Sequence, residues 1–380
     1  MNPPDPLPSE PSTVPQPDAS RLRVAFFSDS FPERNGAGAY YSDLVEQLSE
    51  RVEVAEMFQP VVKKRMLKFA LPLPGDSTQK LITPNIFRIR RQFKALRPHL
   101  VVAVTPGPFG LLGLYLARRN HTGFLTAFHT HFEGLMRLYG DTFFYRTAYW
   151  YLKQINRILC KRSDSVLVNN GSLGATVSEL GAPKVDVMGT PLAMEFLGTP
   201  ATPPRGELRQ ILFAGRLAPE KNLPAVMEAV RAFPEVRFVM AGDGPLRKEM
   251  EAAAREHANL RLTGWLGRAD LRREMDEADL LLLPSHMETF GTVALEAMAR
   301  GRPALVAESA GIHHWTSLQE ALFKLGSGES LVDVIRRISQ YPADTWHRKA
   351  AAARDAAESL NRQTIDQWVG FVSTYSRDPA

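Results

Sequence analysis

Asp279-Leu280-Leu281-Leu282-Leu283-Pro284-Ser285 sets four consecutive leucines between an acid and a proline. A strand with one wet face alternates apolar and polar residues. An unbroken apolar run between turn residues reads as a strand buried on both faces, as in a parallel sheet covered by helices. Such runs recur. A first round opens with Arg23-Val24-Ala25-Phe26-Phe27, and further strands are expected near 52–57, 100–104, 124–128, 165–169 and 185–188. A second round opens with Gln210-Ile211-Leu212-Phe213-Ala214 and continues near 236–241, 260–263, 279–283 and 303–307. Helical stretches separate most of these strands, including 39–49, 110–119 and 292–300, the last stopped by Gly301. The alternation specifies an α/β protein of two doubly wound, Rossmann-like domains facing a cleft between the C-terminal edges of their sheets.

Gly198-Thr199-Pro200-Ala201-Thr202-Pro203-Pro204-Arg205-Gly206 interrupts the pattern and reads as a linker. The expected division is a disordered proline-rich tail (1–20), an N-terminal domain (21–197), the linker (198–206), a C-terminal domain (207–360) and a last helix (361–380) crossing back to the first domain. The tail has no apolar run and does not read as a signal peptide. Leu100 to Ala117 carries no charge, but Thr105-Pro106-Gly107-Pro108 breaks it into a strand and a helix, so no membrane span is expected. A net charge of +5 mildly favours an anionic partner, be it a nucleotide, a lipid or a nucleic acid. Cys160 is the single cysteine, which excludes an internal disulfide and gives no sign of a metal cage.

Candidate chemistry gathers where strands end. Glu288 falls in the loop after the leucine run, the place where doubly wound sheets hold ligands. Glu296, eight positions on, lies among Val293, Leu295, Ala297 and Met298. A carboxylate there needs a partner such as a ligand's hydroxyls, unless this helix face is simply solvated. Gly215-Arg216-Leu217-Ala218-Pro219-Glu220-Lys221-Asn222 follows the strand 210–214 and offers two cations to a diphosphate, or is a solvated loop. Gly242-Asp243-Gly244-Pro245 lets a ligand approach the backbone or is a bare turn. Gly264-Trp265-Leu266-Gly267 presents an indole suited to a nucleobase. Gly36 and Gly38 precede a helix whose free amides attract an anion, without forming a dinucleotide fingerprint or a P-loop. His129 and His131 end the strand 124–128. With no third ligand in register, they suit hydrogen bonding, charge stabilisation or packing better than metal.

Basic and aromatic residues interleave at Lys63-Lys64-Arg65-Met66-Leu67-Lys68-Phe69 and along a long helix from Phe143 to Arg162. This composition suits an anionic membrane surface and equally a half-buried helix with snorkelling cations. No nucleic-acid module is present, so no nucleic-acid partner is expected.

Together these segments resemble the family-four retaining glycosyltransferases of the GT-B fold. The resemblance covers about residues 21–310 and the last helix, and is strongest from 210 to 301. Its most specific marks are Glu288 with Glu296, the loop Gly215-Arg216…Glu220-Lys221-Asn222, and Gly242-Asp243-Gly244-Pro245. Ser28-Asp29-Ser30-Phe31 with Asn35-Gly36, and Phe128-His129-Thr130-His131…Leu138-Tyr139-Gly140, look like the lipid-glycosylating branch, which includes sulfoquinovosyl-diacylglycerol synthases and phosphatidylinositol mannosyltransferases.

The resemblance implies a hexosyltransferase with a nucleotide-sugar donor in the C-terminal domain and a lipid or glycan acceptor against the N-terminal one. It implies no metal and no other cofactor, and a cytoplasmic place, peripheral on the inner face of the membrane. Arg216 and Lys221 would hold the diphosphate. Glu296 would bind the ribose, and Glu288 with the backbone at Phe290, Gly291 and Thr292 the sugar. Gly215, Gly242, Gly264 and Trp265 would line the donor. His129 would lie near the sugar's reactive side, and Gly36 near the phosphates. Asp29, Asn35, His131 and Tyr139 would face the acceptor.

Two segments depart from the family's pattern. Gly189-Thr190-Pro191-Leu192-Ala193 stands where Gly, then Val or Ile, then Asp is usual, which puts the usual interdomain contact in question. Ala310-Gly311-Ile312-His313-His314-Trp315 stands where a Gly-Gly loop and a Glu are usual, which puts the sugar-side loop in question. A nucleotide-sugar epimerase or isomerase, and a catalytically silent scaffold, are the other classes such a cleft admits.

Overall fold

The computed structural model describes residues 18–30, 36–60, 71–73, 76–129 and 143–379. In the N-terminal half, β1 (Arg23–Phe27), α1 (Gly36–Leu48), β2 (Val54–Phe58), a hairpin of β3 (Leu71–Leu73) and β4 (Asp76–Leu81), α2 (Ile86–Leu96), β5 (Leu100–Ala103), α3 (Pro108–Arg119), β6 (Gly123–Phe128), α4 (Phe143–Arg162), β7 (Ser165–Val168), α5 (Gly174–Glu179) and β8 (Val185–Val187) follow in order. After α6 (Met194–Leu197), the C-terminal half runs β9 (Gln210–Ala214), α7 (Leu223–Ala232), β10 (Arg237–Ala241), α8 (Arg247–Glu256), β11 (Leu260–Gly264), α9 (Arg268–Glu277), β12 (Leu280–Leu283), α10 (Thr292–Ala299), β13 (Ala304–Ala307), β14 (Leu322–Leu325), α11 (Leu331–Ser339) and α12 (Ala343–Tyr375).

Each half is a six-stranded parallel sheet, ordered β2-β1-β5-β6-β7-β8 and β11-β10-β9-β12-β13-β14. In each, the strand order reverses beside the first strand of the round, so the loops after β1 and β5, and after β9 and β12, diverge and leave crevices. All four residues of the leucine run are buried, as a strand covered on both faces requires.

Alternate residues of the first sheet feed two cores. Val24, Phe26, Leu100 and Val102 pack under α1 and α12, while Ala25, Phe27, Val101 and Ala103 pack under α2, α3 and α4. The last helix is longer than the sequence suggested. It begins at Ala343, packs against α10 in the C-terminal half, and then reaches the first core. There Trp368 is fully buried between Phe26 and Tyr41, and its Nε1 donates to Tyr40 Oη at 3.1 Å. One helix therefore ties both halves together.

The segment 189–193 is threaded into this seam. Tyr40 Oη donates to Gly189 O at 2.7 Å, Gln47 Nε2 to Leu192 O at 2.7 Å, and Asn361 Oδ1 accepts from Leu192 N at 2.8 Å. The departure in sequence keeps an interdomain contact, made through backbone groups. The linker is equally fixed. Arg300, fully buried, donates to Phe196 O, Thr199 O and Pro200 O and holds both Asp276 carboxylate oxygens, at 2.8 and 2.9 Å. Arg302 binds Thr202 O at 2.8 Å.

Candidate active site

The second sheet's crevice is built by three glycine-marked strand ends. Gly215 N donates to Ala241 O and Gly242 N to Gly264 O, so the ends of β9, β10 and β11 lie side by side. A Cβ on Gly242 would stand 1.8 Å from Gly215 O, and its φ of +152° lies where side chains are rarely accepted. Gly242 is thus fixed by close approach of two backbones. Gly244 is packed likewise, with a Cβ falling 2.4 Å from Leu217 O. Trp265, just past β11, is 58% exposed beside this edge.

After β9 the chain makes a 3₁₀ turn, Pro219–Lys221, and Asn222 takes a left-handed conformation before α7. That turn aims Lys221 at the loop after β12. Lys221 Nζ donates to Glu288 Oε2 at 2.5 Å, with the two side chains only 16% and 19% exposed. Arg216, on the same loop, lies 3.8 Å from the buried Glu220. Gly291, at φ +106°, closes the loop and opens α10 at Thr292, leaving that helix's first amides toward the crevice. Phe290 is buried beneath, against Trp315.

Ala310–Trp315 supports this loop from below. Gly311 N donates to Glu288 O at 3.2 Å and Ile312 N to Phe290 O at 2.9 Å. A Cβ on Gly311 would meet Thr289 O at 1.9 Å, so the single glycine retained there is the one that close approach demands.

Glu296 is half-buried on α10. Burial first, and the Asp43 charge second, raise its carboxyl to about 8, against the opposing pull of Arg268. Arg268, the cation that opposes the shift, is itself paired with Asp43, its Nη1 lying 2.5 Å from Asp43 Oδ1.

Across the cleft, His129 ends β6 with its Nε2 3.0 Å from Tyr41 Oη and its ring edge-on to Tyr40 and Tyr41. Burial lowers its pKa to about 4, so at neutral pH it offers a hydrogen bond and no charge. Of the roles the sequence left open, charge stabilisation by a standing imidazolium is the one this environment disfavours. Asp29 is engaged with its own scaffold. Its carboxylate accepts from Phe109 N at 3.0 Å and Thr105 Oγ1 at 2.9 Å, and a Cβ on Gly107 would collide with it. It thus caps α3, which accounts for an acid at this position without an acceptor, and burial raises it to about 6. Gly36 is the first residue of α1, not one before it, and Gly38 lies within that helix's first turn. Asn35, His131, Tyr139 and the segment 63–69 lie outside the described residues.

Three cleft residues had no part in the sequence reading. Asp43 and Arg268 meet across the seam, and Asn170, after β7, donates from Nδ2 to Thr289 O at 3.4 Å. Asp43 carries the same signal as Glu296, an acid on an apolar helix face beside Tyr40, Tyr41 and Leu44. The Asn169-Asn170 pair ending a buried strand was the other available cue.

Family models match both halves of the chain. The Glycosyltransferase Family 4 model matches residues 34–192, and the Glycosyl transferases group 1 model matches residues 200–357. The chain belongs to the family-four glycosyltransferases of the GT-B fold. It is 24% identical over 360 residues to a GDP-mannose-dependent alpha-(1-6)-phosphatidylinositol dimannoside mannosyltransferase of Mycobacterium tuberculosis, covering 88% of this chain and 92% of that one. It is 26% identical over 296 residues to sulfoquinovosyl transferase SQD2 of Arabidopsis thaliana, covering 72% and 56%. It is 29% identical over 228 residues to a Mycobacterium tuberculosis glycogen synthase, covering 54% and 53%. The chain thus spans about half the length of the last two relatives. Sucrose-phosphate synthase from Thermosynechococcus elongatus shares the fold, with a TM-score of 0.68 at 17% identity over 93% of this chain and 98% of that one. So does Anabaena HepE in complex with UDP-glucose, with a TM-score of 0.67 at 16% identity over 92% and 100%.

Proposed function

We propose that the protein is a retaining hexosyltransferase that moves a sugar from a nucleotide-sugar donor to a lipid or glycan hydroxyl without a divalent metal. The observation that carries this reading is the Lys221–Glu288 contact at the strand-order reversal of the second sheet, with Arg216 on the same loop and Glu296 one helix further on. A cation beside a carboxylate gives one wall for phosphate oxygens and one for sugar hydroxyls. Charge growing on a departing diphosphate would fall to Lys221 and Arg216, the role a metal plays in other transferases. In the reaction envisaged, the bond from the anomeric carbon to phosphate oxygen breaks while the acceptor oxygen bonds on the same face. Bonding on that same face retains the configuration, and the leaving phosphate takes the acceptor's proton. HepE is described with UDP-glucose and the mannosyltransferase as GDP-mannose-dependent, so the donors to try first are uridine and guanosine diphosphate sugars.

The two glutamates provide the test. Glu296→Gln is expected to weaken both nucleoside diphosphate and donor, because both carry the ribose. Glu288→Gln is expected to spare the nucleoside diphosphate and lower turnover, because only the donor carries the sugar. A charge-assisted hydrogen bond to a hydroxyl is worth roughly 1.5–3 kcal/mol, or about 10- to 150-fold. Isothermal titration with the nucleoside diphosphate, paired with turnover, reads both. Equal loss of nucleotide affinity in the two variants contradicts the division.

A peripheral place on an anionic membrane's inner face is part of the proposal. No described helix is long and apolar enough to cross a bilayer. What supports attachment is the layer of α2, α3 and α4, none of which contains an acid. Phe87 on α2 is 88% exposed beside Arg88, Arg90 and Arg91, and Trp150 on α4 is 62% exposed near Lys153. Cosedimentation with phosphatidylglycerol vesicles is expected to fall as salt rises and to drop further in Phe87→Ser/Arg91→Gln. Equal binding to neutral and anionic vesicles contradicts it.

A further inference from the structure

Tyr40, Asp43 and Gln47 lie on one face of α1, at the three- and four-residue spacings that stack side chains along a helix. All three are buried at the domain seam. Tyr40 Oη and Gln47 Nε2 donate to Gly189 O and Leu192 O, and Gln47 Oε1 accepts from Asn361 Nδ2 of α12 at 2.8 Å. Those bonds fix α1 against the chain leaving its own domain. Asp43 reaches further. Its carboxylate, 4% exposed, meets Arg268 Nη1 at 2.5 Å, and Arg268 is the first residue of α9 in the opposite domain. One side chain of the N-terminal domain thereby takes hold of a strand-end loop at the C-terminal domain's crevice.

That loop is lightly packed. It leaves β11, an edge strand, at Gly264, whose φ is +73°. A Cβ on Gly264 or Gly267 would meet nothing within 4 Å, and Trp265 between them is exposed. Gly264 O accepts from Gly242 N and Leu266 packs on the core, while the Arg268 pair holds the loop's far end. A sequestered ion pair adds little net stability, yet it confines both partners, since either charge left alone would be uncompensated. We propose that Asp43 is a positioning residue for the donor: by gripping Arg268 it fixes the 264–268 loop, and Trp265 with it, so that the N-terminal domain adds to the affinity for a nucleoside diphosphate held by the C-terminal one. The inference rests on the proposed donor site, with the nucleobase beside Trp265. Linkage makes the effect reciprocal, so a bound nucleotide tightens the contact between the domains.

The experiment titrates UDP and GDP into the full chain by calorimetry and follows amide exchange of residues 264–271 without nucleotide. Asp43→Asn keeps the side chain's shape and leaves Arg268, 24% exposed, able to be hydrated, so this variant is expected to fold. Its Kd for the nucleotide that the wild-type protein binds should rise at least about fivefold, the lower end of a usual coupling between sites. The amides of 264–271 should exchange faster. Asp43→Asn/Arg268→Gln, which strands neither charge, should match it to within about twofold, because the pair is already broken. Donor KM should rise in step, with kcat at saturating donor held within about threefold. Gln47→Met, one turn along α1, is the control. It removes two seam bonds and should lower the melting temperature, yet leave Kd within about twofold of wild type and the loop's exchange unchanged. An unchanged Kd in Asp43→Asn, or equal weakening by Gln47→Met, overturns the inference and leaves the proposed transferase standing. If the wild-type protein binds neither nucleotide, the donor site falls and the inference with it.

Discussion

Lys221→Ala is expected to lower kcat by about two to three orders of magnitude, the usual consequence of removing one preorganised charge-stabilising donor. Lys221 is the cation the fold aims most firmly. The 3₁₀ turn and the left-handed Asn222 fix its backbone, and Glu288 holds its ammonium at 2.5 Å. Removing it also leaves the largely buried Glu288 carboxylate without its partner, which costs more than the ion pair was worth. Arg216→Ala should act in the same direction and less strongly, because its side chain is the more exposed and is not held to Glu288. Leu217 and Phe290 anchor the two loops in the cores, so both variants should remain folded, with Lys221→Ala melting somewhat lower because Glu288 loses its partner. Steady-state kinetics beside thermal melts separate the two effects. A Lys221→Ala enzyme within about fivefold of wild type removes Lys221 from the chemistry.

Arg300→Ala is expected to destabilise the fold by about 3–5 kcal/mol, the penalty for breaking a buried ion pair. The guanidinium is fully buried and all five of its N–H groups are used, on Asp276 and on the 196–200 segment. Its loss strands Asp276 and frees the start of the linker. Arg300→Lys should recover little, because a point charge does not reproduce the planar fork that spans a carboxylate and several carbonyls. Urea unfolding followed by tryptophan fluorescence measures this. A loss below about 1 kcal/mol contradicts the clamp.

The linker shows where sequence reading ends. Proline and glycine between two α/β rounds marked residues 198–206 as irregular, and they are. What was not legible is that Arg300 and Arg302, beyond a buried helix a hundred residues on, hold this segment to the C-terminal domain. Periodicity reports which face of an element is buried, not which distant backbone it meets. The inner strands of both sheets were legible because they are buried runs, and the edge strands β2, β8 and β11, only partly buried, were legible from the alternation of strands and helices. β14 was not, being a four-residue edge strand interrupted by the exposed Lys324, and neither was the short β3–β4 hairpin. The helix at 361–380 was legible only in its second half, because alanines 350–353 and 356–357 give little amphipathic signal.

The site divides the same way. Glu288, Lys221, Gly215 and Gly242 are local to strand ends, so motif and position announced them. That Lys221 grips Glu288, that Asp29 caps α3, and that Asp43 meets Arg268 depend on contacts between segments 67 to 225 residues apart. His129 looked able to bear charge until its packing against Tyr40 and Tyr41 was seen.

The central claim is sugar transfer from a nucleotide sugar by protein cations in place of a metal. It is tested most directly by incubating the protein with uridine and guanosine diphosphate sugars and a lipid-acceptor extract, in excess EDTA, and following the anomeric protons by NMR. The account predicts a glycosylated product with the donor's anomeric configuration, formed at the same rate with EDTA as without. Activity abolished by EDTA and restored by Mg²⁺, inverted product, or isomerised donor with no transfer would contradict it.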